Sequence, residues 1–176
     1  MLHFTILEII LCVVITYALI TDLKTGKIYN HLTFPAILLG IVLNYLFTGT
    51  PGLVQSLYGT GAGFLLMFIP YLIGWQGAGD VKLVMAIGSI MGLKFLLIYF
   101  VFYMIGSFFL SLIIILAKIL SKGKDGKNFL SKLGIMISFG IRVDNDADKE
   151  MLKTNVKWSP AIFIGTILAL LYTKFI

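Results

Sequence analysis

The chain has 176 residues, of which 59% are apolar, 14% aromatic and 12% charged, with a formal net charge of +6. That composition excludes an ordinary soluble domain, where about a quarter of the residues are charged. The apolar residues come in continuous runs and not in strict alternation, which excludes a transmembrane β-barrel.

The first run, near residues 4–20, approaches the ~20 residues a helix needs to cross ~30 Å of hydrocarbon. It has no basic start and no small-residue cleavage signal before Asp22, so it is expected to be a retained span and not a signal peptide. Asp22 closes it, in Ile20-Thr21-Asp22-Leu23-Lys24. Runs two and three lie near 32–48 and 53–74, where Pro35 and Pro70 can bend the helices and Gly59 and Gly63 offer a small face for close packing. Asp80 opens the fourth run, in Gly77-Ala78-Gly79-Asp80-Val81-Lys82. That run, 81–93, is only about 20 Å long at 1.5 Å per residue, and carries Gly88 and Gly92 as a second small face. A fifth run covers 95–119 and a last one 158–175, where Ser159-Pro160 reads as a cap followed by a first-turn proline. Between them lies a polar loop. Its segment from Phe129 to Val143 suits an interfacial helix on anionic lipid, with a partly inserted hairpin as the alternative. The acidic stretch Asp144-Asn145-Asp146-Ala147-Asp148 lacks the glycine and distal glutamate of a calcium loop and reads as a solvated turn.

Basic residues set the expected topology. If the amino terminus is outside and all six runs cross, Lys24, Lys27, Lys82 and everything from Lys118 to Lys157 fall inside, and only Lys94 and Lys174 fall outside. Were the short fourth run not to cross, the basic loop 118–157 would lie outside, against the positive-inside bias. The expectation is an all-α membrane protein: a single domain over residues 1–176, a bundle of six transmembrane helices with a short fourth helix, and a cytoplasmic loop at 120–157 before the last. Both termini face outward from the inner (plasma) membrane. Asp22 and Asp80 then emerge at the same, cytoplasmic face. Glu8, inside the first span, falls in its outer half and is expected to have a hydrogen-bonded interior partner.

Each aspartate alone has a structural explanation, Asp22 as a helix-end anchor and Asp80 as an N-cap. Together, two isolated carboxylates at one face suggest a shared proton and an aspartyl-type site. Glycine at both 77 and 79 clears side chains from beside Asp80, so an extended substrate backbone could reach it. Lys24 and Lys82 each stand two residues past an aspartate, a spacing that turns them away on a helix and suits anchoring at the membrane surface. His3 and His31 pair with no convincing serine or with Cys12, which argues against a serine–histidine dyad. Cys12 stands alone in an apolar span, so no zinc site and no other metal or cofactor is expected.

Gly77-Ala78-Gly79-Asp80 resembles the GxGD signature of polytopic aspartyl proteases, and its continuation Val81-Lys82-Leu83 is similar to that of the type IV prepilin peptidases. Asp22-Leu23-Lys24-Thr25-Gly26-Lys27-Ile28-Tyr29-Asn30 resembles the first aspartate motif of that family, with Tyr29 in place of the usual proline. Ser159-Pro160-Ala161-Ile162 resembles the start of its carboxyl-terminal helix. The resemblance implies a membrane-embedded aspartic endopeptidase with Asp22 and Asp80 catalytic. It would remove a short basic leader from prepilin-like membrane proteins, at a glycine on the cytoplasmic membrane face. Its partners would be that substrate and the lipid bilayer, with no nucleic acid; glycine faces leave oligomerisation open. Longer members carry a methylating domain with paired CxxC motifs. With Cys12 alone, this chain resembles the short form associated with tight-adherence or Flp pili. The competing readings are a proton- or cation-coupled transporter, which needs acidic residues near the midplane, and a non-catalytic scaffold whose aspartates are caps.

Overall fold

Five helices make up the computed structural model, which describes residues 2–72, 76–120 and 158–175: α1 (Leu2–Thr25), α2 (Asn30–Thr48), α3 (Thr50–Leu72), α4 (Ala78–Leu120) and α5 (Ser159–Phe175). Among the described residues every regular element is helical, as hydrocarbon demands of backbone groups that have no water to bind. α1, α2, α3 and the Ala78–Ile113 part of α4 are long and apolar enough to cross a membrane, and α5 is a shorter apolar helix of 17 residues. The expected interfacial helix at 129–143 and the acidic turn at 144–148 lie outside the described residues. The chain divides into two compact units, one from residues 1–106 with 157–176 and a second from 107–156, of which the α4 segment 107–120 is described. The first unit contains both aspartates.

α2 buries Thr33, Ala36, Ile37 and Gly40 while Leu38, Leu39, Val42 and Leu46 are exposed. Hydrocarbon solvates large apolar side chains as well as a protein core does, so α2 can leave its helix contacts mostly to small residues, whereas α1 and the first part of α4 bury large ones, Leu11, Ile15, Leu83 and Ile87. α2 and α3 are joined through Gly49 alone, at φ 70°, with its N–H returned to the Tyr45 carbonyl at 2.8 Å. α3 packs on α4 through glycine: a Cβ on Gly59 would run into the Gly88 carbonyl, and one on Gly88 into that of Gly59. Gly63 continues the contact, its added Cβ meeting the Val84 carbonyl and Met85 Cα at 3.0 and 3.1 Å. The small faces expected in runs three and four therefore meet each other.

α4 is not straight. Gly92 interrupts it at φ 80°, ψ 177°, a conformation that costs glycine little. Gln76, just ahead of α4, donates to the Tyr103 hydroxyl; along an unbroken helix those positions would stand about 40 Å apart. The chain therefore folds back at Gly92. A break frees the carbonyls of the preceding turn, which hydrocarbon cannot satisfy. Asn44 of α2 supplies donors to two of them, its Nδ2 lying 3.0 Å from the Ser89 carbonyl and 2.9 Å from that of Ile90. Ser56 of α3 donates to the Ser89 carbonyl at 2.6 Å, and Ser89 Oγ to the Ile37 carbonyl at 2.7 Å.

α5 lies along α1 and is tied to it twice. Lys174 Nζ pairs with Glu8 at 3.3 Å, and Ser159 Oγ donates to Asp22 Oδ2 at 2.5 Å. The separations match in opposite sense, fourteen residues from 8 to 22 and fifteen from 159 to 174, about 21–23 Å of helix each. The two helices are antiparallel and polar-linked at both ends. Glu8 has an ionic partner on the last helix, but Lys174 is itself 63% exposed, so the partner is not the interior one expected.

Candidate active site

Asp22 stands in the last turn of α1, which ends at Thr25. Gly26, at φ 67°, closes that turn with its N–H on the Asp22 carbonyl at 2.8 Å. This left-handed terminus is what glycine permits at a helix end. The connection to α2 then runs extended through Tyr29, at φ −83° and ψ 141°. Those angles lie close to the ones proline would impose, so tyrosine at this position keeps the path of the chain.

Asp80 stands in the first turn of α4. The helix is capped at Gly77, whose carbonyl receives the N–H groups of Asp80 at 3.1 Å and Val81 at 3.4 Å. Asp80 is thus not the cap residue; it sits at the third helical position and reaches back, Oδ2 accepting the Gly77 N–H at 3.1 Å. That is the return half of a capping box. Both carboxylates are buried, Asp22 at 7% and Asp80 at 8% exposure, and each is within electrostatic range of the other.

The two meet at one cavity of about 340 Å³, lined by Asp22, Gly26–Asn30, Gly77, Gly79 and Asp80. Its glycines differ. A Cβ on Gly77 would meet nothing nearer than Asp80 Oδ2 at 3.5 Å, whereas one on Gly79 would press on Ile28, with its Cβ at 2.9 Å and its carbonyl at 3.2 Å. Gly79 is where the α1–α2 connection comes down on α4, and that approach carries Asp22 and Asp80 into one cavity. Lys24 is exposed. Lys82 is half-buried, its ammonium 2.8 Å from Asn30 Oδ1 and 5.0 Å above the Phe34 ring. It therefore also ties the start of α2 to α4.

Three features of the site are not evident from the sequence. Ser159, 2% exposed, has the sequence context of a helix cap. The Ile162 N–H instead goes to the Trp158 carbonyl, which puts Ser159 one residue inside α5 and turns its hydroxyl to Asp22. A signal for this lies in the topology expected from the basic residues, which would bring the start of the last span to the same face as both aspartates. Gln76 and Tyr103, with Tyr103 and Tyr99 in electrostatic range of Asp80, come together only because α4 folds back. Asn30 follows Tyr29 in the lining of the cavity, and nothing in the sequence points to its lysine partner. A second cavity of about 380 Å³, lined mainly by apolar side chains with Glu8, Cys12 and Lys174, lies between α1 and α5. Among the described residues no group of three or more His, Cys, Asp or Glu is placed to hold a metal ion.

A family model described as the type IV leader peptidase family matches residues 9–119, which contain both aspartates and all the residues that line the cavity they share. No curated protein and no solved structure matches the chain.

Proposed function

The chain belongs to the type IV leader peptidase family, an integral membrane protease family, and on that premise we propose that it is an aspartic endopeptidase in which Asp22 and Asp80 are the catalytic pair. The observation that carries this is the shared cavity, with both carboxylates buried at its wall and each held through Oδ2 by a donor of the protein. Two buried carboxylates at one site retain one proton between them. The ionised member takes a proton from a bound water as its oxygen attacks the scissile carbonyl carbon. The protonated member gives its proton to the carbonyl oxygen. Collapse of the tetrahedral diol breaks the C–N bond, the nitrogen takes the proton the water lost, and the diol's proton returns to the second carboxyl. No covalent intermediate forms and no metal enters.

The substrate is a prepilin-like protein with a short basic leader followed by an apolar helix, cut where leader meets helix. The fold-back at Gly92 supports two crossings within α4 and six in all, with both termini outside. The half ending at Gly92 is short, about 21 Å from residue 78 to 91, less than the ~30 Å of hydrocarbon, which favours local thinning beside Asp80. Positive-inside bias then sets the cavity at the cytoplasmic surface of the inner membrane. Gly77, open toward the cavity, is where a substrate backbone passes Asp80, and Lys24 lies among the headgroups.

Purified protein reconstituted with such a substrate is expected to release the leader. Asp22→Asn and Asp80→Asn, which keep shape and a hydrogen-bond acceptor, are each expected to reduce cleavage by about 10²–10⁴-fold, the contribution of a general acid or base. Cleavage that survives both substitutions in folded, inserted protein would overturn the assignment.

A further inference from the structure

Ser159 belongs to no motif of the proposed mechanism and lies beyond the matched segment 9–119. It nevertheless makes a short polar contact with Asp22: its hydroxyl, 2% exposed, donates to Oδ2 at 2.5 Å across 137 residues of sequence. An O–H···O distance of 2.5–2.7 Å is characteristic of a hydroxyl donating to an ionised carboxylate, about twice as strong as a neutral pair. That donation leaves the oxygen's lone pairs free, but Ser159 stands inside the first turn of α5 and not at its cap. Pro160 beside it has no N–H to offer, and the Ile162 N–H is taken by the Trp158 carbonyl. Nothing in the capping of α5 therefore accounts for a buried serine here, whereas the partner on α1 does.

We propose that Ser159 is a positioning residue for the reaction, holding Asp22 Oδ2 as an acceptor and so making Asp22 the carboxylate that activates water. This rests on the aspartic peptidase reading and divides the roles that reading leaves symmetric. Asp22 accepts the hydroxyl's hydrogen bond at Oδ2 and keeps Oδ1 for the water. Asp80, whose Oδ2 accepts the Gly77 amide, carries the proton that goes to the substrate carbonyl. The antiparallel seating of α5 on α1, locked at its far end by Glu8 and Lys174, sets the register that brings Ser159 to Asp22. The last helix is in this sense part of the site.

The test uses full-length protein in vesicles with a synthetic substrate of short basic leader, glycine and apolar helix. Ser159→Ala removes the hydroxyl and Ser159→Thr keeps one. The alanine variant is expected to lose about tenfold or more in kcat with KM within about twofold, as for loss of a hydrogen bond to a charged group used in the transition state. The threonine variant is expected to recover most of that kcat. Wild-type kcat in the alanine variant, while Asp22→Asn is inactive, overturns the proposal and leaves the peptidase reading standing. An equal loss in the threonine variant, with unchanged melting temperature, overturns it as well. Should the wild-type protein leave the substrate uncut, the peptidase reading falls by itself. The contact is then judged from melting of Asp22→Ala, Ser159→Ala and the double variant. Additive losses overturn it, and a double loss no greater than the larger single one sustains it.

Discussion

At Asp22 and Asp80 the same physics is solved in two ways. A carboxylate beside hydrocarbon is costly unless its oxygens have donors, and each donor here sits at a helix end. For Asp80 it is the amide of its own cap residue; for Asp22 it is a hydroxyl from the first turn of a helix near the other end of the chain. The glycines that flank Asp80 divide the labour, and substitution separates them. Gly79→Ala drives a methyl into Ile28 backbone and side chain, and overpacking of this kind costs about 1–3 kcal/mol. It is expected to lower the melting temperature and to part the two carboxylates, with cleavage falling in step. Gly77→Ala meets no protein atom closer than ordinary contact. It is expected to melt like the wild type and to raise KM, because the added methyl occupies the path of the substrate backbone. Melting curves and steady-state cleavage on both variants distinguish the two roles.

Among the helices, α4 carries the greatest tension between sequence and solvent. Its two apolar runs are continuous enough to form one long rod, yet the chain turns back at Gly92, and the freed carbonyls of Ser89 and Ile90 need donors. Asn44 and Ser56 provide them from two neighbouring helices. Asn44→Leu is expected to destabilise the protein by about 1–3 kcal/mol, the cost of leaving the buried Ile90 carbonyl without the Asn44 donor, and to impair cleavage, because the half-helix that ends there carries Asp80 in its first turn. Gly59→Ala attacks the same element from the side, where the backbones of α3 and α4 approach at Gly88. It is expected to lower the denaturation midpoint by at least as much, since neither carbonyl can yield without moving a helix. Unfolding in detergent with graded denaturant reads both.

The number of crossings and their direction are properties of the whole molecule. In a cysteine-free background made by Cys12→Ala, Lys27→Cys and Lys94→Cys introduce single thiols, one at the cavity and one just past the fold-back. The six-span arrangement predicts that an impermeant maleimide labels position 94 from the periplasmic side and position 27 only after the inner face is opened. Labelling of both from one side would refute it. The pair Glu8–Lys174 closes the end of the antiparallel α1–α5 pair away from Asp22. With Lys174 largely exposed, its direct contribution is about 1 kcal/mol or less, and its use is in setting register.

What can be read along the chain and what cannot is divided by which constraints are local. Apolar runs, helix-ending glycines, the two aspartate motifs and the small glycine faces of runs three and four are written in nearby residues, because hydrocarbon solvation and helical periodicity act on nearby residues. The sequence by itself therefore determined the all-helical membrane class, the candidate carboxylates and the family. Tertiary structure alone decided that α4 folds back far enough for Gln76 to reach Tyr103, that Lys82 finds Asn30, and that Ser159 leaves its own helix end for Asp22. Each of those is a polar contact between distant segments. Such contacts arise only when buried donors and acceptors are matched in three dimensions, where separation along the chain carries no information about which groups will be near.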